Sequence, residues 1–387
     1  MKNITIAIAC ELTPAKTLIP IIKRLKELEK DGKLNWEKSK IIGLTHGSGV
    51  QELIRPYCDE TYSIGEGRGG GRVKRNNIEL ACLIAKDSFK ALFALSGKGI
   101  DLLITCGNAG DVRKSITAAK LLRIPVIHIE QDIYNPIETI AYANLITVPE
   151  ERYEDFLKEV YSIEEEVIQN IHGYPMASYV NDFAHNGNLI PKEEIIAKYG
   201  VSNFILVVLG GDLKTSDLKN LIKTIEKADY PTLIAPYRFK KQLIEDMVDS
   251  SKVKVLDEFV DLLSLMKTAK LMIYGAGMGM TVEAGVLKVS SIKIAGFHEK
   301  HGSVDLANEL NIPILEINQL AKFLSDFNDL KKTEDINKPN GEKLLKNSQI
   351  ATLKVVEIIN NFDLKNPPKS SGFKSMKAIW NQRSKYR

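Results

Sequence analysis

Short apolar runs and longer amphipathic stretches alternate along this chain. ITIAIAC is followed by LIPIIKRLKELEK, whose apolar positions recur at helical spacing. IIGLTHG then reads as a strand and IELACLIAKDSFKALFAL as a helix. DLLITCGNAGD is a strand and turn, SITAAKLLR a helix, and IPVIHIEQD and ANLITVP are strands. Apolar runs without strict alternation, separated by helices, predict a parallel sheet covered on both faces. Gly173 and Pro175 in HGYPM interrupt the series, and a second one follows. Its strands are FILVVLGGD, TLIAPY, VKVLDEF, LMIYGAGMG, SSIKIAG and IPILEI; its helices are LKNLIKTIEKAD, LLSLMKTA and TVEAGVLK. NSQIATLKVVEIINNF closes the pattern as a terminal helix. The fold predicted is α/β, with two doubly wound, Rossmann-like parallel-sheet domains facing a cleft. Residues 1–173 form the first domain and 174–343 the second. Residues 344–387 are a helix returning to the first domain and a basic tail.

Composition narrows the function without choosing it. A chain of 387 residues, 44% hydrophobic and 26% charged, is long enough for two globular cores. A net charge of +4 does not mark a nucleic-acid binder. No apolar run reaches membrane-spanning length, and ITIAIAC is too short and too soon polar for a signal peptide, so a cytoplasmic protein is expected. Cys10, Cys58, Cys82 and Cys106 form no CxxC pair and read as reduced, structural thiols. The tail from Lys365 carries Lys369, Lys374, Lys377, Arg383, Lys385 and Arg387 with Phe373, Trp380 and Tyr386 interleaved and no acid. It reads either as a peripheral contact with an anionic membrane at its inner face or as a solvated end.

Three glycine clusters end strands. They are Gly107, Asn108 and Asp111 in GNAGD, Gly210 and Gly211 in GGD, and Gly275, Gly277 and Gly279 in GAGMG. A strand, a glycine turn and a helix start present free N–H groups and a positive dipole end to an anion. Any α/β sheet also needs such turns. No Walker A sequence and no strict GxGxxG fingerprint is present. The strip GEGRGGGR is an anion clamp or a solvated loop in equal measure.

FILVVLGGD, then LMIYGAGMGMTVEAGVLKVSSIKIAGF, then HEKHGSVDLANELNIPI, resembles the donor half of MurG-type glycosyltransferases. KLLRIPVIHIEQD is similar to the acceptor-domain strand of that family, and HGYPM sits at its inter-domain turn. The resemblance implies the glycosyltransferase B fold, with an acceptor-side first domain and a nucleotide-sugar second domain. It implies a UDP-sugar donor, UDP-N-acetylglucosamine in the first place, held on the turns at Gly210, Gly211, Gly275, Gly277, Met278, Gly279 and Thr281. Glu283 would then accept the ribose hydroxyls, and His298 and His301 would contact the sugar or phosphate. Gly107, Asn108 and Gln131 would line the first-domain side. Glu130 or Asp132, or failing them Glu11, would be the catalytic base. The acceptor is unidentified and of the lipid-linked or cell-envelope kind. The sequence departs from the family in lacking its N-terminal glycine loop, where CELTPAK stands, and in Asp212 and Asp132.

No DxD motif occurs, and His298 and His301 lack a third ligand, so neither metal nor cofactor is expected. His128, flanked by Ile127 and Ile129, reads as a core histidine more than as a base. Two other readings stay open. CELTPAKTLIPIIKRLKEL and IPVIHIEQD also resemble the non-hydrolysing UDP-N-acetylglucosamine 2-epimerases, with Glu130 on an acidic residue of their site. The third reading is a non-catalytic nucleotide-sugar-binding protein.

Overall fold

The computed structural model describes residues 3–47, 49–65, 77–210, 213, 215–237, 239–296, 300–326 and 338–382. Gly211, Asp212, His298, most of the GEGRGGGR strip and the last five residues lie outside them. The chain divides into two compact units. One takes the chain up to Tyr179 and again from Lys346, and the other takes Val180–Leu345. The division therefore falls slightly later than the Gly173–Pro175 break.

The first unit holds seven strands, β1 (Ile4–Cys10), β2 (Ser39–His46), β3 (Glu60–Gly65), β4 (Leu102–Cys106), β5 (Val126–Ile129), β6 (Leu145–Val148) and β7 (Ile168–Asn170). They pair in the order β3-β2-β1-β4-β5-β6-β7, every neighbour parallel. The second unit holds β8 (Ile205–Val208), β9 (Thr232–Ala235), β10 (Val253–Val255), β11 (Leu271–Tyr274), β12 (Ser291–Ile294) and β13 (Ile314–Leu315). Their order is β10-β9-β8-β11-β12-β13, again all parallel. Both domains are thus Rossmann-like, and strand order reverses beside β1 in one and beside β8 in the other.

Strand β1 shows why the sheet is covered on both sides. Ile4, Ile6, Ile8 and Cys10 enter one core with Leu18, Ile21 and Leu25 of the helix Leu12–Lys30. Ala7 and Ala9 enter the opposite core with Val112 and Ile116 of the helix Gly110–Leu121. Large residues face one layer and small ones the other, so neither face tolerates polar exposure.

The C-terminal segment belongs to both layers. The helix Glu342–Asn361 places Ala351, Val355, Val356 and Ile359 in the β1 isoleucine core. Ser178 and Ser348 join its start to the end of the first unit, with the Ser178 amide donating to the Ser348 hydroxyl at 2.8 Å. The basic tail, one reading of which is a solvated end, forms the helix Phe373–Gln382, with Ile379 fully buried in the opposite core. The chain leading to it is pinned: Asn144 donates to the Pro368 carbonyl at 2.8 Å, and the Gly372 amide to Ala141 at 2.8 Å. Phe373 and Trp380 remain exposed. Among the described residues, no helix is long and apolar enough to cross a membrane.

Because Ile379 fills the core beneath the first sheet, Ile379→Ala should lower folding stability by about 2–5 kcal/mol. Urea unfolding checks this. A loss below about 0.5 kcal/mol would mean that the last helix contributes no packing.

Candidate functional site

Open parallel sheets bind ligands beyond the carboxyl ends of their strands, where strand order reverses. In the first unit this edge collects a group of ionisable side chains. Glu11 follows β1 directly and opens the helix Leu12–Lys30, yet its side chain makes no capping bond. It turns instead to His46, the last residue of β2, with Oε1 2.9 Å from Nδ1. On the other ring nitrogen, Nε2 lies 2.8 Å from Lys114 Nζ, and Lys114 also donates to Asp87 at 2.5 Å. Neutral His46 with its proton on Nδ1 satisfies both contacts, donating to Glu11 and accepting from Lys114. Gly65 leaves room for this arrangement, since a Cβ there would lie 2.5 Å from the His46 ring and 2.7 Å from Asp87.

After β4, Gly107 takes φ +82°, and its missing Cβ would lie 2.8 Å from Pro14. Both facts require glycine. Asn108 donates to the Asn135 carbonyl at 3.3 Å. Asp111 is fully buried, and neither carboxylate oxygen reaches a hydrogen-bond partner. Burial pushes its carboxyl well above the usual range, and the nearby Glu11 charge adds to this.

After β5 the polar groups are tied down. His128 is fully buried between Thr105 and Glu130, with Nδ1 2.8 Å from the Thr105 hydroxyl and Nε2 3.3 Å from Glu130 Oε2. Glu130 Oε1 accepts the amides of Gln131 and Asp132 at 2.8 and 2.9 Å. The Gln131 side chain reaches the Thr17 hydroxyl. Glu130 therefore holds the backbone of the turn that presents Gln131 and Asp132.

The second unit repeats the logic with glycine. Gly210, two residues past the end of β8, lies against the turn after β11, and a Cβ would stand 2.0 Å from the Gly275 carbonyl oxygen and 2.2 Å from Ala276 Cα. This glycine is required by backbone packing, whatever ligand the turn meets. Gly275 is closed off by the Leu213 side chain. Gly277 differs: it precedes the helix Met278–Leu287, and among the described residues its Cβ would meet only the edge of His301, at 3.3 Å. His301 caps the helix Gly302–Glu309, with Nδ1 accepting from the Ser303 amide at 3.1 Å. Buried Lys293 donates to the Ala276 carbonyl at 2.8 Å and so fixes the turn from beneath. Tyr274 and Thr281 hydroxyls meet at 3.1 Å behind it. Glu283, one turn further, is 3% exposed.

Sequence reasoning missed His46, Asp87, Lys114 and Lys293. His46 ends a strand, the one local signal it carried. Lys293 interrupts an apolar strand, also a signal, but Asp87 and Lys114 lie within helical patterns and become visible only once β2 and β4 stand beside β1.

These two domains are those of the glycosyltransferase B architecture. Over 92% of this chain, the UDP-GlcNAc 2-epimerase of Neisseria meningitidis bound to UDP-GlcNAc superposes along its whole length, with TM-score 0.66 and 14% identity. The UDP-GlcNAc 2-epimerase of Methanocaldococcus jannaschii, in complex with UDP-GlcNAc and UDP, matches 99% of this chain and 100% of its own, with TM-score 0.60 and 20% identity. A Rickettsia africae protein described as a glycosyltransferase matches 92% of this chain and 98% of its own, with TM-score 0.58 and 16% identity. No family model and no curated protein sequence matches. At such identities the likeness is one of fold.

Gly210→Ala should destabilise the second domain by about 3 kcal/mol, because backbone must move. Gly277→Ala should cost under about 1 kcal/mol, because the His301 ring yields. Thermal unfolding of the two variants checks the difference, and equal losses would contradict it.

Proposed function

We propose that this protein binds a UDP-linked N-acetylhexosamine and epimerises it, acting as a UDP-N-acetylglucosamine 2-epimerase-like enzyme. The observation carrying this reading is the fold likeness to UDP-GlcNAc 2-epimerases across nearly all of both chains. It displaces the glycosyltransferase reading that the MurG-like motifs put first.

In this reading the nucleotide lies on the second domain. Amides from Gly277 to Gly279, at the start of the helix Met278–Leu287, receive the diphosphate, where the helix dipole favours negative charge. Met278 and Thr281 support the same turn, Glu283 takes the ribose hydroxyls, and His301 contacts the phosphate or sugar. The absent DxD motif fits backbone donors. Inverting a carbon that bears hydrogen requires a base on one face and an acid on the other. The first-domain carboxylates supply candidates: Asp132 for proton transfer, Glu130 as the anchor of its turn, and Gly107, Asn108 and Gln131 against the sugar.

A glycosyltransferase remains the second reading, favoured by FILVVLGGD with TVEAGVLK and by the Rickettsia africae neighbour. Its acceptor would be lipid-linked if the exposed Phe373 and Trp380 beside Lys374 and Lys377 meet an anionic membrane.

Purified protein given UDP-GlcNAc alone should form a second UDP-sugar, approaching one equilibrium from either epimer, as followed by proton NMR. UDP bound without conversion would leave a binding protein. Conversion only with an acceptor would establish a transferase. Glu283→Ala should weaken UDP binding about tenfold to hundredfold by calorimetry, the cost of unpaired ribose hydroxyls at about 1–3 kcal/mol. Unchanged UDP affinity would remove Glu283 from the site.

A further inference from the structure

Lysine is out of place in the middle of a parallel strand buried on both faces. Lys293 stands between Ile292 and Ile294 in β12 and is 1% exposed. Burying an ammonium group costs free energy unless good acceptors meet it. Methionine would fill much the same space, and exchanging buried charge for apolar bulk is often neutral or stabilising. Packing alone therefore does not ask for lysine here. Resting on the nucleotide reading above, we propose that Lys293 is a positioning residue for the diphosphate. It acts through the peptide bond that joins Ala276 to Gly277.

That peptide is one planar unit held from one side. Lys293 pairs in register with Tyr274 of β11, which brings its side chain under the turn that follows Tyr274. There Nζ donates to the Ala276 carbonyl oxygen at 2.8 Å. The same peptide bond carries the Gly277 N–H, and like every described peptide bond it is trans. In a trans peptide the C=O and N–H point in opposite directions. With the C=O held toward Lys293, the Gly277 N–H points away from the ammonium group. Flipping the peptide would lose the Nζ bond and turn the N–H inward.

Gly277 is the N-cap of the helix Met278–Leu287. The amides of Met278 and Gly279 that follow have no acceptor within the helix. An anion on this turn therefore meets donors whose direction is set by the Ala276–Gly277 peptide. A hydrogen bond to a carbonyl also polarises its peptide and strengthens the N–H at the other end as a donor. Gly210 confines the turn from a different direction, since its Cβ position lies 2.2 Å from Ala276 Cα. Tyr274 adds to the support, with its ring centroid 5.5 Å from Nζ and its hydroxyl 3.1 Å from that of Thr281.

Full-length wild type and Lys293→Met are titrated with UDP and with uridine, which lacks phosphate, and thermal midpoints are measured in parallel. Lys293→Met should bind UDP at least about tenfold more weakly, with uridine affinity changed by less than about twofold. A lysine that served the fold alone would lower both affinities alike. A second measurement needs no variant. In isotope-labelled wild type, the Gly277 amide proton signal should move downfield with UDP and stay in place with uridine. Unchanged UDP affinity in Lys293→Met, equal loss of both affinities, or a Gly277 amide indifferent to UDP would overturn the assignment. No UDP binding by the wild type would remove the nucleotide reading itself, and the role of Lys293 with it.

Discussion

The parallel strand is the constraint from which the rest follows. When every strand runs the same way, all carboxyl ends open on one edge, and each return helix begins there with unsatisfied N–H groups. Where strand order reverses, two such helices leave in opposite directions and chain packing leaves room. In the first domain this place lies between β1 and β4, and Glu11 and Asp111 stand on its two sides. In the second it lies between β8 and β11, and Gly210 and Gly275 stand there. The same topology therefore makes one edge rich in charge and the other nearly bare backbone.

That contrast gives the domains different chemistry. Around Gly210 and Gly275 the two turns pack backbone against backbone, and Lys293 secures them by holding the Ala276 carbonyl. Gly210 has no room for a side chain of its own, and the start of the helix Met278–Leu287 presents main-chain amides beside His301, a setting suited to an anion. Around Glu11 the polar groups form a chain, Glu11 to His46 to Lys114 to Asp87, each within hydrogen-bond reach of the next. Buried networks of this kind are stable only when every member is matched. Asp111, buried beside that chain, is among the described residues whose side-chain atoms reach no hydrogen-bond partner.

The sheets were legible because apolar runs such as ITIAIAC and FILVVL are buried on both faces, and such burial leaves a plain mark in composition. The turns at Gly107 and Gly275 were legible because positive φ or close approach admits little else. Two things were hidden. The role of Gly210 depends on Gly275, far away in sequence, so a turn that looked made for phosphate is first of all a packing contact. His46, Asp87 and Lys114 lie apart in the chain, and only the adjacency of β2, β1 and β4 brings them together. The tail misled for a related reason: Ile379 and Ser375 are too few to mark an amphipathic helix among so many lysines, yet they are the residues that bury it.

The central claim is that a UDP-linked sugar lies on the second domain through main-chain donors. A crystal structure of the protein soaked with UDP tests it most directly. The account predicts diphosphate oxygens within about 3 Å of amides between Gly277 and Gly279, with the ribose hydroxyls on Glu283. Diphosphate held by side chains of the first domain, with the start of the helix Met278–Leu287 empty, would contradict it.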